Sequence, residues 1–335
     1  MDWAWTLSLV FGGCCSNAIT LEQLTSTHPR FGSVITFCQF VVVSLYGLPH
    51  HITWTSSGPR LKPRTVPLTP YLVQVGLFYL ISLLNNAAFA YRVPMTVHII
   101  FRSGGLIVSM LLGWIMGKKY TSVQVASVLL VTAGVALTTL SASTSASRAR
   151  TYTTDAYTYA SGIGILSLAL LLSGLLGLVQ DWTYSTYTHA PSSTSKPWLE
   201  SMFYLHFFSL PLFIFNRKDI SSQLHAIHSS SSPTLELSPD IVRIPPVYLP
   251  LALNTLTQLV CVAGVNRLTT RVSALTVTLI LVVRKAVSLM LSVTVVAARP
   301  VEVNVGMMWT GAALVLVGTV GYSLGRGSSR KDKKT

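Results

Sequence analysis

Ten apolar runs, each close to the length that crosses a bilayer, divide this chain of 335 residues. They fall at Trp3–Leu21, Phe31–Leu48, Pro70–Tyr91, Thr96–Met116, Ser122–Leu140, Tyr157–Val179, Leu199–Phe215, Val247–Val265, Val272–Val296 and Val303–Leu324. Crossing the hydrocarbon core takes about 20 apolar residues. Inside lipid each run must be helical, because only a helix satisfies its backbone hydrogen bonds within one segment. The spacing therefore predicts an all-α polytopic membrane protein with ten transmembrane helices. Composition agrees: 50% of residues are hydrophobic and 10% charged, which excludes both disorder and an ordinary soluble domain. The net charge of +14 does not point to nucleic acid, since the basic residues lie between apolar runs and not on one polar face. The first run follows Met1-Asp2 with no basic n-region, so it is expected to stay as a span. Cys14, Cys15, Cys38 and Cys261 all lie in apolar runs. They read as small core residues, with no disulfide framework and no metal site.

Basic loop residues set the orientation. With both termini in the cytosol, thirteen loop and tail Lys or Arg residues fall on the cytosolic side and eight on the far side. Ser/Thr-rich stretches occur at Ser141–Thr154 and Ser221–Ser238. The first reads as a linker over 142–156 between a five-helix repeat at 1–141 and a second at 157–324, ahead of a basic cytosolic tail at 325–335. Five spans per half place the second half upside down, so a duplication here is an inverted repeat, the construction common in secondary transporters. The tail ends Lys331-Asp332-Lys333-Lys334-Thr335. Lys331 and Lys333 match the cytosolic dilysine address, read by coat proteins, that returns membrane proteins to the endoplasmic reticulum. The expected location is therefore the endoplasmic reticulum membrane, with the Golgi as alternative.

Chemistry is concentrated on a few charges inside apolar runs. Arg284 and Lys285 sit in the ninth run, and Arg102 in the fourth. A charge at membrane depth is costly unless it meets protein, water or an anion. Thr278, Lys285, Ser288 and Ser292 recur at helical spacing, as do His98, Arg102, Gly105 and Ser109. Two or three such cations suit a diphosphate, Arg as a planar fork and Lys as a movable point charge. The alternative is snorkelling, or pairing with Glu22 or Glu200. Asn85 and Asn86 fit a sugar hydroxyl or base edge, or equally an interhelical hydrogen bond, and Asn17 is similar. Glu22 closes its span at the interface. Phe203 and Tyr204 open the seventh run, where aromatics stack on bases or form the interfacial belt. The Gly113/Gly117 and Gly174/Gly177 pairs read as helix-packing sites. The ten acidic residues form no paired-carboxylate or metal pattern in the spans, and no cofactor is expected. A membrane enzyme acting on a lipid or nucleotide-sugar is the alternative, and needs an intramembrane carboxylate or metal.

Several strings then carry a resemblance: Gly13-Cys-Cys-Ser-Asn17, Thr36-Phe-Cys-Gln-Phe40, Asn85-Asn86, His98-Ile-Ile-Phe-Arg-Ser-Gly104, Cys261-Val-Ala-Gly-Val265, and Leu275-Thr-Val-Thr-Leu279 ahead of Arg284-Lys-Ala-Val-Ser288. The chain resembles the nucleotide-sugar transporters of the drug/metabolite transporter superfamily, nearest the branch carrying UDP-N-acetylglucosamine and UDP-xylose. The resemblance implies ten spans in two inverted halves, no enzymatic activity, and exchange of a cytosolic UDP-sugar for lumenal UMP. It implies a base-contacting motif at Phe203, Tyr204, Leu205 and His206, and a phosphate-contacting lysine at Lys285 with Arg284 beside it. Phosphate or metabolite translocators of the same superfamily are the nearer alternative.

Overall fold

The computed structural model describes residues 2–27, 31–56, 58–91, 104–143, 156–187, 196–229, 247–291 and 304–331. The chain opens with helix α1 (Asp2–Ser8), a π-helical turn at Leu9–Gly13, α2 (Cys14–Thr27) and α3 (Gly32–His51). Strands β1 (Ile52–Thr55) and β2 (Gly58–Leu61) follow. Next come α4 (Leu68–Ala90), α5 (Gly105–Ile115), α6 (Ser122–Ser143) and α7 (Ala156–Tyr187). Helix α8 (Pro197–Ser209) runs through a 3₁₀ segment, Leu210–Asn216, into α9 (Arg217–Ser229). The chain closes with α10 (Tyr248–Thr269), α11 (Ala274–Leu291) and α12 (Val305–Lys331).

Eight helical stretches among the described residues are long and apolar enough to cross a membrane. They match eight of the expected spans. At the places of the fourth and ninth stand the 11 residues of α5 and the 18 of α11. Large apolar side chains such as Leu72, Leu83, Leu316 and Val320 face outward, as suits helices solvated by lipid.

Local chemistry sets several helix ends. Thr121 and Gln124 form a reciprocal capping box at the start of α6: Thr121 N–H donates to Gln124 Oε1 at 2.9 Å, and Gln124 N–H to Thr121 Oγ1 at 3.3 Å. Asn304 Oδ1 accepts from the Met307 N–H at 3.1 Å and caps α12. Gly117 ends α5 with φ of 82°. Its N–H donates to Trp114 O, and the Lys118 N–H donates to Gly113 O, a Schellman closure. The Gly113/Gly117 spacing is thus a helix stop, not the helix-packing motif expected of it. Gly174 does serve packing, since a Cβ there would lie 2.8 Å from Leu112 and Val108.

The chain forms two compact units. The first comprises residues 1–75 and 183–271. In it the first helical stretch lies against α10 at backbone contact: a Cβ on Gly13 would meet the Cys261 N at 2.8 Å, and one on Gly264 the Val10 N at 2.8 Å. Beside this contact Asn17 Nδ2 donates to Asn254 O at 3.0 Å, and Gln39 Nε2 donates to Asn254 Oδ1 at 2.7 Å. Cys14 and Cys261, 247 residues apart, are joined by a disulfide. That corrects the expectation of four core thiols. The close approach of two glycine-faced helices brings the Cα atoms to 4.5 Å, within the range a disulfide needs. The departure from the all-helical expectation is a short hairpin, with Ile52 opposite Leu61 and Thr55 opposite Gly58, whose φ is 102°.

The second unit comprises residues 76–182 and 272–335. Helices α6 and α12 pack through Gly134, Gly311 and Gly318; a Cβ on Gly134 would lie 2.7 Å from Gly311 O. Leu106, Met110, Val131, Leu279, Val282 and Val315 fill its core. Both units draw helices from both expected sequence halves.

The disulfide yields a simple count. Alkylation of the denatured, unreduced protein should label two cysteines, Cys15 and Cys38, and four after reduction. Labelling of all four without reductant, read by mass spectrometry, would contradict the bond.

Candidate functional site

A cavity of about 290 Å³ with a mixed apolar and polar lining opens within the second unit. That lies near the lower end of the roughly 300–1,000 Å³ usual for small-molecule sites. Helix α4 supplies Ile81 and Asn85, α5 supplies Gly105, α7 supplies Leu166, Ala169, Leu170 and Ser173, and α11 supplies Thr278, Leu281, Val282, Arg284 and Lys285. The described lining thus holds two cations, an amide, two hydroxyls and no carboxylate. Thr278 and Lys285 are seven residues apart, two helical turns, so they share one face of α11. Lys285 is exposed and Arg284 half-buried. Thr278 Oγ1 donates to Ala274 O at 2.9 Å, which leaves its oxygen as an acceptor toward the cavity. Asn85 Nδ2 donates to Ile81 O at 2.9 Å on its own helix; no interhelical bond to it appears among the described contacts.

The expected site residues fall in several places. Arg284, Lys285 and Asn85 meet at this cavity. Ser288, one turn further along α11, is buried and does not line it. Ser173 was not anticipated. Arg102 and His98 lie outside the described residues, as do the side chain of Asn86 and Lys333 of the tail. Asn17 belongs to the buried polar network of the first unit, and Glu22 is exposed near the end of α2.

Phe203, Tyr204 and His206 lie in the first unit and build a closed aromatic core. The Phe203 ring stacks on His51 with centroids 4.8 Å apart and planes 9° from parallel. It sits directly on Gly47, where a Cβ would approach to 2.8 Å. Tyr204 stacks on Tyr71 at 5.4 Å, with the Arg64 guanidinium 5.8 Å from its ring. Its buried hydroxyl has no hydrogen-bond partner among the described residues. His206 Nδ1 meets Met202 O at 2.7 Å, and its ring lies 4.7 Å from that of Phe40. In this conformation both Phe203 and Tyr204 are packing residues.

Glu200, one turn before Tyr204, is 1% exposed. Its carboxylate accepts from the backbone N–H groups of Thr65 and Val66 at 3.0 Å and from the Tyr71 hydroxyl at 3.3 Å. It therefore pins the basic loop after β2 onto α8. Asp181 of α7 pairs with Lys118 beyond the end of α5.

A profile of the UAA transporter family matches residues 3–326. The chain belongs to the UAA transporter family. The UDP-N-acetylglucosamine transporter YEA4 of Saccharomyces cerevisiae is 36% identical, over 98% of this chain and 96% of its own length. The UDP-xylose and UDP-N-acetylglucosamine transporter of Danio rerio is 35% identical, over 96% and 94%. The nucleotide sugar transporter SLC35B4 of Homo sapiens is 35% identical, over 96% and 93%. A solved structure at 14% identity covers 95% of this chain and 96% of its own with a TM-score of 0.59, a likeness of fold alone. As a member of this transporter family the chain is not an enzyme.

Glu200 makes the most exacting contact in the first unit. Replacing it by Gln removes the charge and, with the amide oxygen kept at the Oε1 position, sets an NH₂ against the Thr65 N–H at the Oε2 position. Glu200→Gln should destabilise the protein by about 1–3 kcal/mol, seen as a lower thermal unfolding midpoint in detergent. An unchanged midpoint would show that the carboxylate does not hold the loop.

Proposed function

We propose that this chain is a UDP-sugar antiporter. It carries UDP-N-acetylglucosamine from the cytosol into the lumen of the endoplasmic reticulum or Golgi in exchange for UMP. The observation that carries this reading is the cavity lined by Arg284, Lys285, Asn85, Thr278 and Ser173. A pyrophosphate presents acceptor oxygens over a short span, and adjacent cations on one helix bind it as fork and point charge. Asn85 and the two hydroxyls are neutral donors and acceptors of the kind that hold sugar or ribose hydroxyls. Arg102 joins this group by the sequence pattern. The names of three relatives, from yeast, fish and human, support a nucleotide-sugar as solute.

The mechanism follows from electrostatics. Each cation gains more from an anion in a low-dielectric cleft than it would in water. Moving the empty site across the bilayer leaves those charges without that anion, which is costly at membrane depth. Ligand lowers this barrier, so exchange outruns net movement. Ten spans in two inverted repeats, both termini in the cytosol and a dilysine address at Lys331 and Lys333 complete the reading.

Purified protein in liposomes preloaded with UMP should take up UDP-N-acetylglucosamine much faster than in empty liposomes. Lys285→Ala should lower the exchange at least about tenfold, the scale of one charge-assisted contact. Equal rates with and without internal UMP would overturn the exchange mechanism. Full activity in Lys285→Ala would overturn the assigned grip on the phosphates.

A further inference from the structure

The helix that follows the long α8 stretch carries an unassigned charged face. Pro197 to Asn216, helix α8 plus the 3₁₀ segment, is 20 residues of mostly apolar sequence. At about 1.5 Å per residue it rises about 30 Å, the thickness of the hydrocarbon core. The next two residues are Arg217 and Lys218, so a span that begins at Pro197 brings both to headgroup level. Helix α9 then divides cleanly. Ile220, Gln223 and Ile227 turn inward, where Ile227 packs with Leu24, Val34 and Ile35. Gln223 Oε1 accepts from the Val34 N–H at 3.1 Å and so satisfies a donor in the first turn of α3. Asp219 also turns that way, accepting from Ser33 Oγ and from Gln223 Nε2. Arg217, Lys218, Ser221, Ser222 and His225 occupy the outward face and line a shallow, open concavity. Neither Arg217 nor Lys218 has an ion pair among the described residues. Just before them, Ile214 and Phe215 are 62% and 72% exposed, and Leu224 flanks the same face.

We propose that the outward face of α9 docks the headgroup of an anionic phospholipid. The arrangement is amphiphilic in the same sense as that ligand. Exposed Ile214 and Phe215 meet the acyl region. One turn further along the chain, two cations meet the phosphate, and Ser221 and Ser222 offer hydroxyls to its remaining oxygens. The exposed apolar pair Ile214 and Phe215 beside the cations selects a membrane lipid over a soluble anion, in the lumenal leaflet by the orientation proposed above. Because α9 also caps α3, the bound lipid fixes the end of α3 through Gln223.

The full-length protein in nanodiscs of phosphatidylcholine doped with phosphatidylserine tests this. After gentle detergent transfer, native mass spectrometry reads which lipid is retained. Wild type should retain phosphatidylserine in preference to phosphatidylcholine. The double substitution Arg217→Gln/Lys218→Gln should lower that preference by about tenfold or more. Arg60→Gln/Lys119→Gln removes the same charge elsewhere and should leave it intact. Excess inorganic phosphate should not displace the lipid. An unchanged preference in the first double variant, equal loss in both, or displacement by free phosphate would each overturn the proposal. An unaltered thermal midpoint shows that the variant is folded.

Discussion

Two adjacent cations on one helix of an apolar bundle are the feature on which the rest of this protein depends. Arg284 and Lys285 are held on α11 by core contacts of Leu279 and Val282 on the neighbouring turns. Both cations line a cavity that the second unit forms from α4, α5, α7 and α11. Gly105 adds no side chain to the lining, and Thr278 and Ser173 add hydroxyls to it. In the proposed function this lining meets an anion whose charge matches two positive groups.

The remainder of each unit is organised to let helices approach until backbones touch. Lipid gives no hydrophobic drive between helices, so contact area and buried hydrogen bonds must supply the adhesion. Gly134 against Gly311 does this in the second unit, and Gly13 against Gly264 in the first. In the first unit the approach is tight enough to place Cys14 beside Cys261, and the Asn17–Asn254–Gln39 network settles the register. Glu200 serves the same end at a loop, taking up two backbone donors that water would otherwise hold.

Much of this was legible in the sequence, for physical reasons. An apolar run of bilayer length has few alternatives to a spanning helix, so eight of the expected spans correspond to observed helices. A cation inside such a run stands out because its cost is high, and Lys285, Arg284 and the nearby Asn85 do meet at one cavity. Other features are invisible locally. The disulfide joins residues 247 apart and follows from a tertiary approach that no local pattern reports. The glycine spacing at Gly113 and Gly117 is the same for a packing face as for a helix stop; only the 82° φ of Gly117 separates them. Ser173 escaped notice because serines in spans commonly bond to their own helix, as Ser167 does to Ile163 O at 2.9 Å. The hairpin was missed because Ile52–Thr55 is short and sits among loop residues. Phe203 and Tyr204 stood out as aromatics, but their burial against His51, Gly47 and Tyr71 depends on chain segments far away in sequence.

A thermodynamic cycle tests most directly the proposed contact of Lys285 with the pyrophosphate. Equilibrium binding of UDP and UMP to purified wild type and Lys285→Gln isolates the contact with the second phosphate. In the wild type, loss of that phosphate should weaken binding substantially. In Lys285→Gln the same loss should cost much less, because the partner charge is already gone. If removing the phosphate costs both proteins the same affinity, Lys285 does not contact it, and the cavity on α11 is not where the diphosphate is held.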